Sequence, residues 1–173
     1  MAETKLSTHT NEALFLRDKN LVEDVMGNMS FTDAMFYHVM GFAPSAGQRA
    51  ILDAVLVTLM EHGFTPSAIA ARMTYLSAPE AMQSAVAAGL LSVASQFIGT
   101  MENTAKILEE IINDPDGQNA ACQRIVQQHL DSGNHIPGFG HHLHRPDDPR
   151  TPKLFEIAMA HDEIDNHPIV MMQ

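Results

Sequence analysis

Apolar side chains recur every three or four residues along most of this chain, and no segment keeps a sustained alternation of apolar and polar positions. The first spacing is typical of amphipathic helices, whereas alternation would be typical of half-buried strands. The pattern therefore predicts an all-α fold, with residues 1–10 as a loose tail. The sequence contains no internal repeat and no low-complexity segment.

Capping and turn residues divide this pattern into separate helices. The first predicted helix starts at Asn11 and stops near Gly27, and the second runs from Ser30, in a spacing like that of a capping box, to Gly41. Six more helices are predicted from similar start and stop signals, at residues 44–63, 65–78, 79–98, 100–114, 118–133 and 151–164. The helix at 79–98 is rich in Ala, Gly and Ser, so another helix could approach it closely.

Two loops stand out between these helices because each places a histidine beside glycine and proline. The first is "EHGFTPS" at 61–67, and the second is "NHIPGFGHHLHRPDDPR" at 134–150. Loops that a rigid helical frame holds in place commonly carry binding groups. We therefore expect the chemistry of the protein to lie in these two loops.

Composition and charge argue against several function classes. The formal net charge is −11, and the 10 lysines and arginines are scattered rather than clustered. Such a surface repels phosphate backbones, so a resemblance of residues 65–73 to a helix-turn-helix segment is weak support for nucleic-acid binding. No signal peptide is recognisable, and the most apolar stretch is too short to span a bilayer. With Cys122 as its one cysteine, the chain is expected to act in the cytoplasm, without disulfides, nucleic acid or a membrane.

The four histidines of the second loop, His135, His141, His142 and His144, first suggest a metal site. Imidazole is a good ligand for zinc, copper or nickel. However, the chain lacks an HExxH pattern that would make such ligands converge, and Cys122 is alone. We therefore expect no metal, and we interpret His142 and His144 as ordinary histidines of a solvated loop.

The second loop is better suited to an anionic ligand. Gly138 and Gly140 permit positive φ or the close approach of a ligand, and backbone N–H groups exposed by such turns bind anions. Arg145 and Arg150 lie on an arm braced by prolines, and a guanidinium there could bind carboxylate or phosphate through two hydrogen bonds. The residues alone leave a second interpretation open, in which Arg150 forms a weakly stabilising surface salt bridge with a neighbouring aspartate.

These segments resemble the citrate synthase superfamily. "PGFGHHLHRPDDPR" is similar to its signature loop, in which a G-[FYI]-G-H turn is followed by D-P-R, and "LMEHGFTPSAIAAR" is similar to its substrate-binding histidine segment. "SAVAAGLLSVASQFIGTMENTAKIL" is similar to a helix and turn in the citryl-CoA lyase module of ATP-citrate lyase. The resemblance covers residues 30–165 and implies a citrate synthase-like helical fold.

The resemblance also implies a domain organisation and an assembly. Residues 1–98 would form part of a large helical domain that contains the loop at 61–67, and residues 99–173 would form a small domain that binds coenzyme A. The rest of the large domain is expected beyond residue 173, together with a catalytic aspartate that no residue here matches. Because the family is dimeric, a homodimer is expected, with a contact at the helix 79–98.

Individual residues take their expected roles from the same resemblance. His62 and His141 match the two active-site histidines, which bind the oxaloacetate portion of the substrate and its keto or hydroxyl oxygen. Arg150 matches an arginine that binds a substrate carboxylate. In the family, coenzyme A is bound by backbone contacts and a phosphate-binding side chain. The positions that match this coenzyme A site are Gly138, Phe139, Gly140 and Arg145.

One departure from citrate synthases favours a particular reaction. Phe97 stands where those enzymes have a histidine that stabilises the enol of acetyl-CoA, and the lyase module of ATP-citrate lyase also has Phe there. Because phenylalanine cannot donate a hydrogen bond to an enolate, the leading hypothesis is a citryl-CoA lyase-like enzyme that cleaves citryl-CoA to acetyl-CoA and oxaloacetate. The alternatives are a citrate or methylcitrate synthase, another CoA-ester lyase on the same fold, or a non-catalytic helical protein that binds CoA or a partner.

Overall fold

The computed structural model describes residues 4–61, 63–94, 100–141 and 143–162. Within these ranges the chain forms seven α-helices, one π-helical turn and a small sheet. The helices are α1 Phe31–Met40, α2 Ala46–Leu59, α3 Pro66–Ser77, α4 Met82–Leu91, α5 Thr100–Ile112, α6 Gln118–Ser132 and α7 Arg150–Met159. This mostly helical structure confirms the predicted all-α class.

The N-terminal segment differs from its prediction. The loose tail and the helix expected to start at Asn11 are both wrong, because this segment forms three short antiparallel strands and a π-helical turn. The elements are β1 Ser7–His9, β2 Leu14–Leu16, β3 Lys19–Asn20 and the π-helical turn Leu21–Val25. Strand β2 lies in the middle and pairs with both β1 and β3.

A contact distant in sequence overrides the helical pattern in this segment. Arg17 connects β2 to β3 with a φ of +57°, a left-handed conformation that residues other than glycine seldom adopt. Its guanidinium donates hydrogen bonds to the carbonyl oxygens of His38 (2.9 Å) and Val39 (3.0 Å) at the end of α1. The last carbonyls of a helix have no partner within it, so Arg17 caps α1 and the same contacts stabilise the turn between the strands.

A predicted cap acts at α1, and a capping pair that was not predicted acts at α2. Ser30 caps α1 by accepting a hydrogen bond from the backbone N–H of the third helical residue. At the start of α2, Ser45 and Gln48 form a reciprocal capping box, in which each backbone N–H donates to the other side chain at 2.9 and 3.1 Å. Helix α2 ends at Leu59 rather than at the predicted Gly63.

The described residues fall into two units of internal contact, which lie within Met1–Leu59 plus Arg150–Met171 and within Met60–Pro149. In the first unit α2 packs against α1 and α7, and in the second α3 packs against α4 and α5 against α6. The predicted domain boundary at residue 98 falls inside the second unit. The assignment of residues 1–98 and 99–173 to separate domains stays a prediction.

The buried core of the second unit lies between α5 and α6. Ile111 of α5 packs against Ala121 and Ile125 of α6, with Ile107 and Cys122 at the edge of the cluster. Helices α3 and α4 pack through small side chains. A Cβ added at Gly89 of α4 would lie 3.3 Å from the Cβ of Ala71 in α3. This close approach agrees with the expectation drawn from the small residues of this helix.

An ion-pair cluster also connects α5 to α6. Arg124 donates to Glu110 at 2.8 Å and to Asp114, just after α5, at 2.6 Å. The pKa of Asp114 is lowered from its ordinary value of 3.8, first by a hydrogen bond from the backbone N–H of Asp116 and then by Arg124. Because the carboxylate form is favoured in the folded state, this group stabilises the α5–α6 pair at neutral pH.

Across the ranges that the structure describes, every helix is too short or too polar to traverse a lipid bilayer.

Candidate functional site

The second histidine loop leaves α6 at Gly133, whose left-handed φ of +68° ends the helix. Three residues later the chain makes a tight turn, in which the N–H of Phe139 donates to the carbonyl of Ile136 at 3.3 Å. Pro137 takes the second position of this turn, and Gly138, with a φ of +83°, takes the third. This arrangement matches a type II turn, which requires a positive φ at its third residue.

Gly138 also lies against α5. A Cβ added at this glycine would lie 2.2 Å from Oγ1 of Thr104, much closer than two such atoms can approach. The Thr104 hydroxyl is held in place because it donates to the carbonyl of Thr100 at 2.8 Å. Only glycine therefore fits at position 138, and this close contact fastens the turn to the helix.

Gly140 has a similar backbone but different surroundings. Its φ is +88°, yet a Cβ added there would meet no atom of the described residues within 4 Å. Phe139, between the two glycines, is 67% exposed. The sequence suggested that these glycines allow either a positive φ or a close approach. At Gly138 the close approach is to α5, whereas at Gly140 the backbone faces open space where a ligand could approach it.

The ring of His141 folds back over the residues that follow it. Its Nδ1 accepts hydrogen bonds from the backbone N–H groups of Leu143 and His144, both at 3.1 Å. A ring nitrogen that accepts hydrogen bonds carries no proton, so the neutral ring carries its proton on Nε2. The neutral tautomer that fits these two bonds donates through Nε2.

His144 contacts His141 in a way that the sequence interpretation missed. The sequence predicts an ordinary histidine of a solvated loop, but His144 is half-buried and its ring stacks on that of His141. The ring centroids are 4.7 Å apart and the planes differ by 27°. The spacing of three residues between the two histidines was the only signal of this contact in the sequence. His142 lies outside the described residues.

The two arginines of the loop differ in their surroundings. Arg145 is exposed, and its guanidinium makes no hydrogen bond or ion pair within the part of the chain that the structure describes. Arg150 is half-buried and is the first residue of α7. Arg145 belongs to the second contact unit and Arg150 to the first. An exposed guanidinium such as that of Arg145 is available to an anionic ligand.

Two positions named from the sequence, His62 and Phe97, lie outside the described residues. Two positions after His62 in the sequence is Phe64, whose ring is 78% exposed, and the guanidinium of Arg72 lies 5.2 Å from the centre of that ring. No cluster of three or more His, Cys, Asp or Glu side chains that could hold a metal ion occurs within the described ranges. The expectation of no metal stays a prediction.

An apolar groove of about 710 Å³ runs between α3 and α4. Its walls come from both helices, and the guanidinium-bearing Arg72 is the one charged residue among them. The lining residues are Ala71, Arg72, Tyr75, Leu76, Met82, Ala85 and Val86. The groove is suited to apolar contacts rather than to the polar chemistry of the histidine loop.

In the first unit, Asp18 and Tyr37 have shifted pKa values that their contacts in the fold explain. The hydroxyl of Tyr37 donates to the carboxylate of Asp18, and this hydrogen bond lowers the pKa of Asp18 and raises that of Tyr37. The ammonium of Lys19 lies 5.4 Å from the centre of the Tyr37 ring. These contacts join the strand region to α1, so the pair serves the fold and not the histidine loop.

Comparison with known proteins relates the chain to one family. Residues 7–172 match the family described as "Citrate synthase, C-terminal domain". Over 119 residues the chain is 30% identical to the 2-methylcitrate synthase of Shewanella oneidensis, a match that covers 68% of this chain and 30% of that protein. The chain therefore spans about a third of the length of this relative.

Solved structures with the same fold include lyases. The chain is similar to the citryl-CoA lyase of Hydrogenobacter thermophilus, with a TM-score of 0.82 and 28% identity over 99% of this chain and 64% of that one. A mutant ATP citrate lyase of Methanosaeta concilii in complex with (3S)-citryl-CoA gives a TM-score of 0.78 at 20% identity. The ATP citrate lyase of Methanothrix soehngenii in complex with citrate and coenzyme A gives 0.75 at 20% identity. Each ATP citrate lyase match covers 92% of this chain and 26% of the other. These similarities confirm the predicted citrate synthase-like fold.

Proposed function

Since the chain belongs to the citrate synthase family, we propose that the protein is an enzyme that cleaves citryl-CoA to acetyl-CoA and oxaloacetate. The observation that carries this proposal is the geometry of His141, whose Nδ1 is held by two backbone N–H groups so that Nε2 donates. The similarity to a citryl-CoA lyase along 99% of the chain supports cleavage as the direction of the reaction. Phe97, named from the sequence, supports the same direction.

The proposed reaction is a retro-Claisen cleavage. The tertiary hydroxyl of citryl-CoA loses its proton, and the bond between its carbon and the CH₂ next to the thioester then breaks. The electron pair of that bond forms the enolate of acetyl-CoA, which is protonated, while the hydroxyl oxygen becomes the keto oxygen of oxaloacetate. His141 donates through Nε2 to this oxygen and stabilises the negative charge that develops when its proton leaves. The base that removes the proton is not assigned to any residue of this chain.

Coenzyme A is proposed to bind at the turn before His141. The open space beside Gly140 allows a ligand to approach the backbone, and Gly138 and Phe139 supply the rest of the turn. Arg145, exposed and without an ion-pair partner in the described ranges, is suited to a phosphate group of the coenzyme. This assignment fits an organic cofactor that enters as part of the substrate, with no metal involved.

The remaining substrate contacts are proposed from the resemblance alone. His62 would bind the oxaloacetate portion of the substrate, and Arg150 would bind one of its carboxylates. A guanidinium fixes a carboxylate through two parallel hydrogen bonds, which set orientation as well as affinity. A cytoplasmic location belongs to the same proposal, on the basis of the single cysteine.

A homodimer is proposed with α4 at the contact. In this helix Leu90 is 68% exposed and Leu91 is 87% exposed, and Leu76 on the neighbouring α3 is 75% exposed. Together with the apolar groove between α3 and α4, these side chains form an apolar surface that would be stabilised by burial against a second copy.

The second candidate is a synthase that joins an acyl-CoA to a keto acid. It is favoured by the 30% identity to a 2-methylcitrate synthase over 68% of the chain. Both candidate enzymes would use the same loop to bind CoA and His141 to bind a substrate oxygen. They would differ mainly in the direction of the reaction and in the acyl group of the CoA ester.

The role of His141 is tested by comparing His141→Ala with His135→Ala, which changes an exposed histidine of the same loop. Removing a donor to a developing oxyanion costs about 10²–10³ in kcat, so the first variant should lose that factor in citryl-CoA cleavage. The second should keep the rate of the original protein. Equal rates for both variants would contradict the assignment of His141.

A further inference from the structure

His144 makes two separate contacts with His141. Its backbone N–H donates to Nδ1 of His141 at 3.1 Å, and its imidazole stacks on the His141 ring with centroids 4.7 Å apart. The backbone bonds of Leu143 and His144 fix the position of one ring atom. A ring held at one atom can still swing about that atom, and the stacked imidazole blocks this movement on one face.

The packing of the neighbouring residues shows that this stacking is not the result of simple hydrophobic burial. Leu143 is 73% exposed, whereas His144, the next residue, is half-buried. Leucine is normally buried in preference to histidine, so the loop reverses the usual order. Because the loop exposes Leu143 while His144 is half-buried against His141, we infer that His144 has a role in the loop.

We propose that His144 is a positioning residue, whose ring and backbone N–H together fix the direction in which Nε2 of His141 donates. The proposal rests on the proposed function, since only a donor aimed at a substrate oxygen needs a fixed direction for turnover. His144 does not itself contact the reacting atoms in this account. Its contribution depends on a planar ring at this position and not on a titratable nitrogen.

Two substitutions distinguish the contribution of an aromatic ring at position 144 from that of the imidazole nitrogen atoms. His144→Phe keeps a planar aromatic ring, and His144→Leu fills similar space without one, while both retain the backbone N–H. His135→Ala serves as the control, because this histidine is exposed on the same loop. Circular dichroism and thermal unfolding of each variant show whether the helices are retained.

The direct measurement is a long-range ¹H–¹⁵N spectrum of the histidine rings, which distinguishes the Nε2–H tautomer from the Nδ1–H tautomer. His141 should show the Nε2–H pattern in the original protein, in His144→Phe and in His135→Ala. In His144→Leu the His141 ring should swing so that Nδ1 points away from the two backbone N–H groups, which weakens both hydrogen bonds, and the His141 signals should therefore move toward an average of the two tautomers. Unchanged His141 signals in His144→Leu would overturn the proposal.

Kinetics then connect the tautomer to the reaction. Misplacing a catalytic group by about 1 Å can cost about 10²-fold, so kcat for citryl-CoA cleavage should fall about tenfold or more in His144→Leu with little change in KM. His144→Phe should restore kcat. A fall in kcat that His144→Phe does not restore would also contradict positioning by the ring. If the original protein does not cleave citryl-CoA, the proposed function fails, and the spectra still decide whether His144 fixes the His141 ring.

Discussion

Replacing Gly138 by alanine gives the sharpest test of how the histidine loop is held. The substitution adds one methyl group at a residue with a φ of +83°. A left-handed backbone costs an L-residue about 1–2 kcal/mol. The new Cβ would also lie 2.2 Å from Oγ1 of Thr104, and overpacking of this kind costs about 1–3 kcal/mol. Gly138→Ala should therefore lower the free energy of unfolding by about 2–5 kcal/mol.

Gly140→Ala is the matched control, because its φ of +88° is nearly the same and its Cβ would meet no atom within 4 Å in the part of the chain that the structure describes. It should lower the free energy of unfolding by the backbone contribution alone, about 1–2 kcal/mol. The effect of fewer unfolded conformations after Gly→Ala is common to both variants and cancels in the comparison. The difference between the two variants therefore isolates the contact with α5.

Thr104→Ala completes a double-mutant cycle in urea denaturation. This change removes the hydroxyl and the methyl group and leaves a Cβ that would lie 3.1 Å from the new Cβ at position 138. Gly138→Ala should therefore cost less in the Thr104→Ala background, with a coupling energy of about 1 kcal/mol or more. Equal losses of stability for Gly138→Ala and Gly140→Ala, with no coupling to position 104, would refute the account of the turn.

Three further predictions concern the fold, the coenzyme and the assembly. Asp114→Asn should lower stability at pH 7, because the lowered pKa of Asp114 means that its carboxylate contributes stability above its ordinary value of 3.8. That contribution is lost as the pH falls through the folded-state pKa of Asp114. The difference in urea midpoint between the original protein and Asp114→Asn should therefore shrink below pH 3.8. A difference that stays constant with pH would contradict this cause. Arg145→Gln should raise KM for a CoA ester about tenfold with little change in kcat, because a charge-assisted contact present throughout the reaction is lost. Lys153→Gln, which removes an exposed charge from α7, should leave KM unchanged, and equal effects would contradict a specific contact at Arg145. Leu91→Glu should reduce the dimer fraction in light scattering, whereas Leu143→Glu, at a residue with 73% exposure, should not.

The helical part of the fold could be predicted because its determinants are local. Ser30 caps α1 through a residue three positions away, and Thr65 caps α3 in the same way. The N-terminal strands could not be predicted from the same kind of signal. Their turn depends on Arg17 reaching the carbonyl oxygens at the end of α1, more than twenty positions away along the chain. A periodic apolar pattern contains no information about such a contact.

The loop was found from the sequence, but the relations among its residues were not. The glycines were correctly connected with positive φ, while the sequence could not say that Gly138 lies against Thr104 and Gly140 faces open space. The tautomer of His141 and its stacking on His144 depend on how the backbone returns after the turn. These are properties of one particular loop conformation, and a residue motif does not specify it.

The protein is proposed to cleave citryl-CoA with His141 as donor to the substrate oxygen. The most direct measurement is to incubate the purified protein with (3S)-citryl-CoA and to quantify acetyl-CoA and oxaloacetate over time. We predict that both products appear in equal amounts at a rate proportional to the protein concentration. No cleavage of citryl-CoA, together with formation of a citrate or methylcitrate from an acyl-CoA and a keto acid, would contradict the account in favour of a synthase.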